Sequence, residues 1–270
     1  MTLCAFSEVE NIEFDAIVDF FRAAPDEARA AHAIETRDFG AVTCLSCRGI
    51  EPPAVFRRAV RVGVGPTISE PVLDEVLAHM DTRGQRYVIS IAPQSQPPTL
   101  ASWLEKRGFT RGYAWMKFCR PCTGAPQAAG DLEVRVVGAK HGGEFGRIVA
   151  AGFGLPPSAV PWAGALAGRP NWVCVMAFDA GAPVAAGAAY VAGKYAWLGL
   201  GATLDSHRRR GAQNALIAVR LAEAAARGAR VAVTETGERL PDKPSASYRN
   251  ILRAGFEEAY LRQNYLSPSA

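Results

Sequence analysis

The sequence has no hydrophobic run long enough to cross a bilayer; its longest weakly polar stretch, Ala182 to Gly193, is short and rich in Ala and Gly. The N-terminus lacks a basic start and carries three Glu within its first 13 residues, so no secretory leader is expected and the expected location is cytoplasmic. Lysine is scarce: 25 of the 30 basic residues are Arg, which suits a GC-rich bacterial genome. There is no dense basic face interleaved with aromatics. Neither nucleic acid nor a membrane is therefore an expected partner.

What is present suits a folded chain. At 49% hydrophobic and 21% charged residues, there is enough apolar surface to offset the entropy of ordering. The 270 residues approach twice the usual domain size, so two domains are expected. Residues 1–121 carry 14 basic against 15 acidic side chains and residues 122–270 carry 16 against 11, a mild excess that suits an anionic ligand in the second half. Six cysteines include two CxxC pairs, Cys44/Cys47 and Cys119/Cys122, separated by 71 residues. A four-thiolate zinc site usually has pairs about 15–20 residues apart. Residues three apart on a strand also face opposite sides. Reduced thiols and no metal are expected.

A Pro/Gly/Ala stretch from Cys119 to Asp131 reads as a linker. It separates a first segment, 1–121, from a second, 131–270, with 122–130 between them. The segments repeat each other. Pro98–Phe109 and Pro244–Phe256 both read as a helix ended by Gly-Phe, at Gly108-Phe109 and Gly255-Phe256. Aromatics follow at matching offsets, Tyr113 and Phe118 in one, Tyr260 and Tyr265 in the other. Upstream, Arg83–Ser90 matches Arg227–Thr234, a helix stop followed by a strand. Three matches in one order argue for duplication.

In the second segment the pattern predicts strand 132–137, helix 141–153, a hairpin of 171–178 and 183–192, and strand 195–204. A helix at 211–227, supported by a Glu223/Arg227 pair, strand 231–236, helix 245–254 and strand 257–266 follow. Between strand 195–204 and the next helix lies Arg208-Arg209-Arg210-Gly211-Ala212-Gln213-Asn214. A helix N-terminus offers unpaired N–H groups and a positive dipole end, Gly211 permits close approach, and the arginines add charge. The turn reads as a phosphate cradle or as a solvated surface turn.

Arg208-Arg-Arg-Gly211-Ala-Gln213 resembles the (Gln/Arg)-x-x-Gly-x-(Gly/Ala) motif with which the GNAT superfamily of N-acetyltransferases grips the pyrophosphate of acetyl-coenzyme A, and the flanking strand and helix agree. The resemblance covers nearly all of 130–270. With the repeat, it implies an α/β chain with a mixed sheet, built as two GNAT-like lobes in tandem, the first diverged. Carried onto the first lobe, the cradle falls on Val64, Pro66, Thr67 and Ser69, without Arg or a crossing Gly, so that lobe is expected to bind no coenzyme A and to complete the substrate groove. Two departures stand out. Gln213 replaces a small residue, so its side chain must point away from the phosphate. Ile251 stands where relatives often carry a proton-donating Tyr.

By the same resemblance, strands 195–204 and 231–236 splay to admit the pantetheine arm, which would bond near Gly201, Ala202 and Thr203. Arg208, Arg209, Arg210, Gly211, Ala212, Gln213, Asn214 and Asn250 complete the expected coenzyme site, although Asn250 reads equally as a residue that caps and packs its helix. Glycines 199 and 201 suit a bulge or tight packing. Glu235 is the expected base, or a solvent-facing strand-end carboxylate; Tyr248 is the replacement acid. In loop 154–166, Trp162 either lines the acceptor pocket or anchors the core. The implied activity is acetyl transfer from acetyl-coenzyme A to a primary amine of a small molecule or peptide, by a monomer or homodimer. The alternative is a catalytically idle acyl-CoA-binding regulatory module.

Overall fold

A computed structural model describes residues 5–124, 126, 131–241 and 245–268. Most of the expected linker at 122–130 lies outside the described residues. The first segment forms α1 (Phe6–Arg22), α2 (Asp26–His32), β1 (Glu35–Phe39), β2 (Val42–Ser46), α3 (Pro53–Phe56) and β3 (Arg58–Val60). Then come α4 (Glu70–Asp81), β4 (Val88–Ile91), α5 (Leu100–Lys106) and β5 (Thr110–Pro121). The second forms β6 (Glu133–Val137), α6 (Gly142–Phe153), α7 (Val160–Gly164), β7 (Trp172–Asp179), β8 (Ala182–Ala192) and β9 (Tyr195–Thr203). It closes with α8 (Ala212–Ala226), β10 (Val231–Gly237), α9 (Ala246–Arg253) and β11 (Glu257–Leu266). These bounds follow the sequence pattern within about two residues.

The eleven strands of the described residues join one sheet, ordered β1-β2-β3-β4-β11-β5-β10-β9-β8-β7-β6. The last strands of the two segments are exchanged. β11 lies between β4 and β5, while β5 lies between β11 and β10. β5 and β11 run antiparallel, Glu257 opposite Cys119 and Leu266 opposite Thr110, so equivalent strands of the repeat meet about a local pseudo-twofold. The matched aromatics cross over with them. Phe118 is buried edge-on to Tyr248 of the second segment, ring centres 5.0 Å apart. Tyr265 is buried with Leu73, Tyr87 and Phe109 of the first. Both strands follow the expected stop: Gly108 (φ 81°) and Gly255 (φ 79°) adopt the left-handed conformation that ends a helix, and Phe109 and Phe256 are buried behind them.

Side chains alternate across the sheet, so each strand feeds both cores. One face is covered by α1, α6 and α7; the other by α4 and α5 over the first segment and by α8 and α9 over the second. Cys44 and Cys47 fall in cores on opposite faces. α1 bridges the segments, touching β1 and β2 as well as β8, β9 and β10. Its C-terminal half is pinned to the second segment. Trp162 is fully buried, stacks on Phe20 at 4.5 Å and donates from Nε1 to the Phe20 carbonyl at 2.7 Å. Asp19 accepts from Arg169 and from Trp172, each at 2.7 Å. Truncating a buried indole of this kind costs about 3–5 kcal/mol. Trp162 is thus the core anchor of the α1–α7 contact and not a pocket residue. The expected Glu223/Arg227 pair is also replaced, because Arg227 donates to the Trp172 carbonyl at 3.2 Å.

Candidate active site

β9 ends at Thr203, and the chain reaches α8 through a tight turn with two left-handed residues, Arg209 (φ 66°) and Gly211 (φ 80°). Gly211 is the N-cap, and no side chain caps the helix. The N–H groups of Ala212, Gln213 and Asn214 therefore face outward at the positive end of a 15-residue helix. They open on a groove of about 670 Å³. Its strand wall is Gly201, Ala202 and Thr203; its turn is Arg208, Arg209 and Gly211; Asn250 faces them from α9. Ser247, Arg249 and Arg253, which the sequence reading missed, line the same groove. The Gln213 side chain turns back to β9, Nε2 donating to Thr203 Oγ1 at 2.9 Å, so it leaves the helix terminus free. Arg210 does not line the groove. Its guanidinium turns away to Asp179, at 2.5 Å, and to Asp131, tying the turn to the β7–β8 hairpin.

β9 and β10 are parallel but pair only from Val231/Tyr195 to Val233/Trp197. Beyond that point β10 stays with β5 as far as Gly237, while β9 bulges: its register against β8 slips between Ala186 and Ala188, and Leu200 takes φ 54°. A bulge bends the strand away and opens the splay. Gly199 is required there, since a Cβ would lie 2.0 Å from the Trp197 ring. The splay leads into a cavity of about 450 Å³. Cavity and groove share Gly152, Gly201, Gln213, Ser247 and Asn250, so one path runs from the bare helix terminus into the gap between the strands.

The cavity floor is a buried ionic cluster that α1 lowers onto the sheet. Glu13 accepts from Arg262 (2.5 Å), Lys117 (2.6 Å) and Arg58 (2.9 Å). Glu10 accepts from Arg262 at 3.0 Å and from the Tyr260 hydroxyl at 2.6 Å. Glu235 accepts from Lys117 at 2.9 Å and from Trp197 Nε1 at 3.0 Å. Three carboxylates thus meet three cations. Burial by itself would raise the Glu13 carboxyl, but Arg262, Lys117 and Arg58 hold it well below the usual carboxylate range. Glu235 lines the cavity, and Tyr113, Trp115, Ile17 and Phe153 form apolar walls around it. Much of this wall comes from the first segment.

Two further expectations need correcting. Tyr248 is buried on the core side of α9, and its hydroxyl donates to Glu258 Oε1 at 2.6 Å, away from the cavity; burial and that carboxylate push it up to about 12. It does not reach the cavity as an acid. Ile251 lines the cavity and has no proton to give. Loop 154–166 stays out of the lining, to which the neighbouring Gly152 and Phe153 contribute instead. The cysteines at 44, 47 and 174 are buried with thiols pushed up to about 12, and Cys122 to about 11. They are inert packing groups.

The equivalent turn of the first lobe is closed. β3 and β4 pair in parallel at Arg58/Val88 and Ala59/Ile89. The backbone of Gln96 then fills the turn: its N–H donates to Gly63 O at 2.8 Å and its carbonyl accepts from Ile68 N at 3.3 Å.

Solved structures share this architecture. A GCN5-related N-acetyltransferase from Kribbella flavida is 18% identical and matches 100% of this chain and 98% of its own, with a TM-score of 0.66. Another from Sphaerobacter thermophilus is 15% identical over 87% and 84% of the two chains, with a TM-score of 0.59. A tandem GNAT protein from the clavulanic acid biosynthesis pathway is 13% identical over 98% and 94%, with a TM-score of 0.61. No family model matches the sequence, and no curated protein matches it. The fold is that of the GCN5-related N-acetyltransferases. Within it, the chain takes the tandem form, with two such lobes sharing one sheet.

Proposed function

We propose that the protein is an acetyl-coenzyme A-dependent N-acetyltransferase acting on a primary amine of a small molecule or peptide. The observation that carries this reading is the continuous path from the uncapped start of α8, through the β9–β10 splay, to the carboxylate of Glu235. The residues present fit the donor. The N–H groups of Ala212–Asn214 with Arg208 and Arg209 suit a pyrophosphate, and the β9 backbone at Gly201–Thr203 suits an extended amide-bearing arm. The amine would enter from the α1 side, between Tyr113, Trp115 and Phe153. Glu235 would accept its proton, directly or through water, as the nitrogen attacks the thioester carbonyl.

The test is thiol release from acetyl-coenzyme A across a panel of amines. Turnover is expected, and Glu235→Gln should lower kcat/KM about a hundredfold to ten-thousandfold with little change in acetyl-coenzyme A affinity. Binding of acetyl-coenzyme A without release on any amine would favour the idle regulatory module instead. That alternative draws support from Ile251 and from the orientation of Tyr248.

A further inference from the structure

Among the described residues, the Arg220 charge lining the cavity has no carboxylate to balance it. Arg220 projects from α8, two helical turns beyond the cradle, and is 3% exposed. It donates to backbone carbonyls alone: Nε to Leu216 at 3.0 Å, Nη1 to Ala188 at 3.1 Å and to Gly199 at 3.0 Å. No carboxylate among the described residues pairs with it, whereas Arg58, Lys117 and Arg262 each share Glu10, Glu13 or Glu235. Its Nη2 donates to no group among the described residues. That nitrogen would lie 3.8 Å from a Cβ placed on Gly201, the residue common to groove and cavity. The strands make room for it. A Cβ on Gly187 would stand 2.9 Å from the guanidinium carbon.

An unpaired buried cation is costly even after relaxation. Burial draws the Arg220 guanidinium down only to about 10, so it stays charged at neutral pH. The proposed reaction creates negative charge in this place. As the amine nitrogen bonds to the carbonyl carbon, the carbon–sulfur bond breaks and its electron pair leaves on sulfur. The amine proton goes to Glu235 or water. A sulfur anion then needs a proton or a cation, and neither Ile251 nor Tyr248 offers the proton. We propose that Arg220 faces the departing thiolate of coenzyme A and stabilises it as an anion, replacing the missing proton donor. This rests on the acetyltransferase reading. Fixed charge aimed at developing charge in a dry site needs no reorganisation at the moment of reaction.

The rival role for Arg220 is a brace under the bulge, through its bond to Gly199. The two are separated by titrating the thiol of coenzyme A bound to the intact protein, followed by the ultraviolet absorbance of the thiolate. The bound thiol should be at least about tenfold more acidic than in free coenzyme A. Arg220→Lys should keep most of that shift. Arg220→Gln should abolish it and lower kcat at least about tenfold, with the thermal shift caused by coenzyme A showing that the fold and cradle survive. A bound thiol in the unaltered protein that titrates as it does in free solution overturns the proposal even if amines are acetylated, and that result needs no variant to fold. Failure of coenzyme A to bind at all would remove the acetyltransferase reading and this proposal with it.

Discussion

The two lobes present the same topological opportunity and treat it oppositely. In each, a parallel strand pair parts next to a turn that leads into a helix. In the second lobe β9 and β10 part after three paired positions, β9 bulges at Leu200, and α8 starts on a bare Gly211. In the first, β3 and β4 pair at two positions, and the backbone of Gln96 then takes the donors and acceptors of the turn. A Cβ at Gly63 would lie 2.4 Å from the Gln96 carbonyl, so the fit is already tight. The splay of this fold is therefore a gap that one loop backbone can fill. The first lobe contributes elsewhere, sending α1, Arg58, Tyr113 and Trp115 into the wall of its neighbour's cavity.

The comparison breaks most completely if the lobes are independent. Residues 131–270 alone would leave β10 and β11 without β5 between them and would lose α1 from the sheet face. The fragment should aggregate on size-exclusion chromatography. A soluble monomer that still binds acetyl-coenzyme A would show that the exchange is dispensable. Next in size is the carboxylate that ties the lobes together. Glu13→Gln leaves Arg58, Lys117 and Arg262 short of one negative charge and should cost about 3–5 kcal/mol in chemical denaturation at neutral pH. Because the folded Glu13 carboxyl lies below its ordinary value of 4.5, its stabilisation is complete above that pH and is lost as pH falls toward the lower folded value. The gap between the two proteins should thus hold at neutral pH and narrow below about pH 4.5; a gap independent of pH would show that charge is not what Glu13 supplies. The smallest effect sharpens the contrast of the turns. Gly211→Asp and Gly65→Asp both impose a side chain on a left-handed residue, φ 80° and 84°, at roughly 1–2 kcal/mol of strain. Only the first should abolish the thermal shift caused by acetyl-coenzyme A. Equal losses would mean that strain, and not the cradle, decides binding.

The groove at the start of α8 was legible because it is local. Residues 201–214 carry strand, turn, glycine and helix in one stretch, and ten of the eleven expected coenzyme residues line one groove. Arg210 failed the expectation because the arginine run does not say which members face Asp179 and Asp131. The ionic floor was not legible. Glu10 and Glu13 sit one turn apart in α1, a spacing common on solvated faces, while the partners of Glu13 lie 45 to 249 residues away. Tyr248 and Trp162 misled for one shared reason. Both are amphipathic side chains whose polar atoms found partners inside the protein, Glu258 and the Phe20 carbonyl. The strand exchange was equally hidden, because β5 and β11 carry the same pattern after the same Gly-Phe stop, and either arrangement of neighbours satisfies it.

That exchange also bears on how the protein is made. β4 bonds to β11 across an interval of 174 residues, as in the Ser90–Asn264 contact at 2.8 Å. A ribosome adding about 5–20 residues per second needs roughly ten to thirty seconds to cover such a distance. During that interval the nascent first half holds β4 without its final neighbour. Closure is bound to be slow, since it joins the most distant parts of the chain. Expression yield should accordingly depend on chaperones that shield strand edges until β11 emerges.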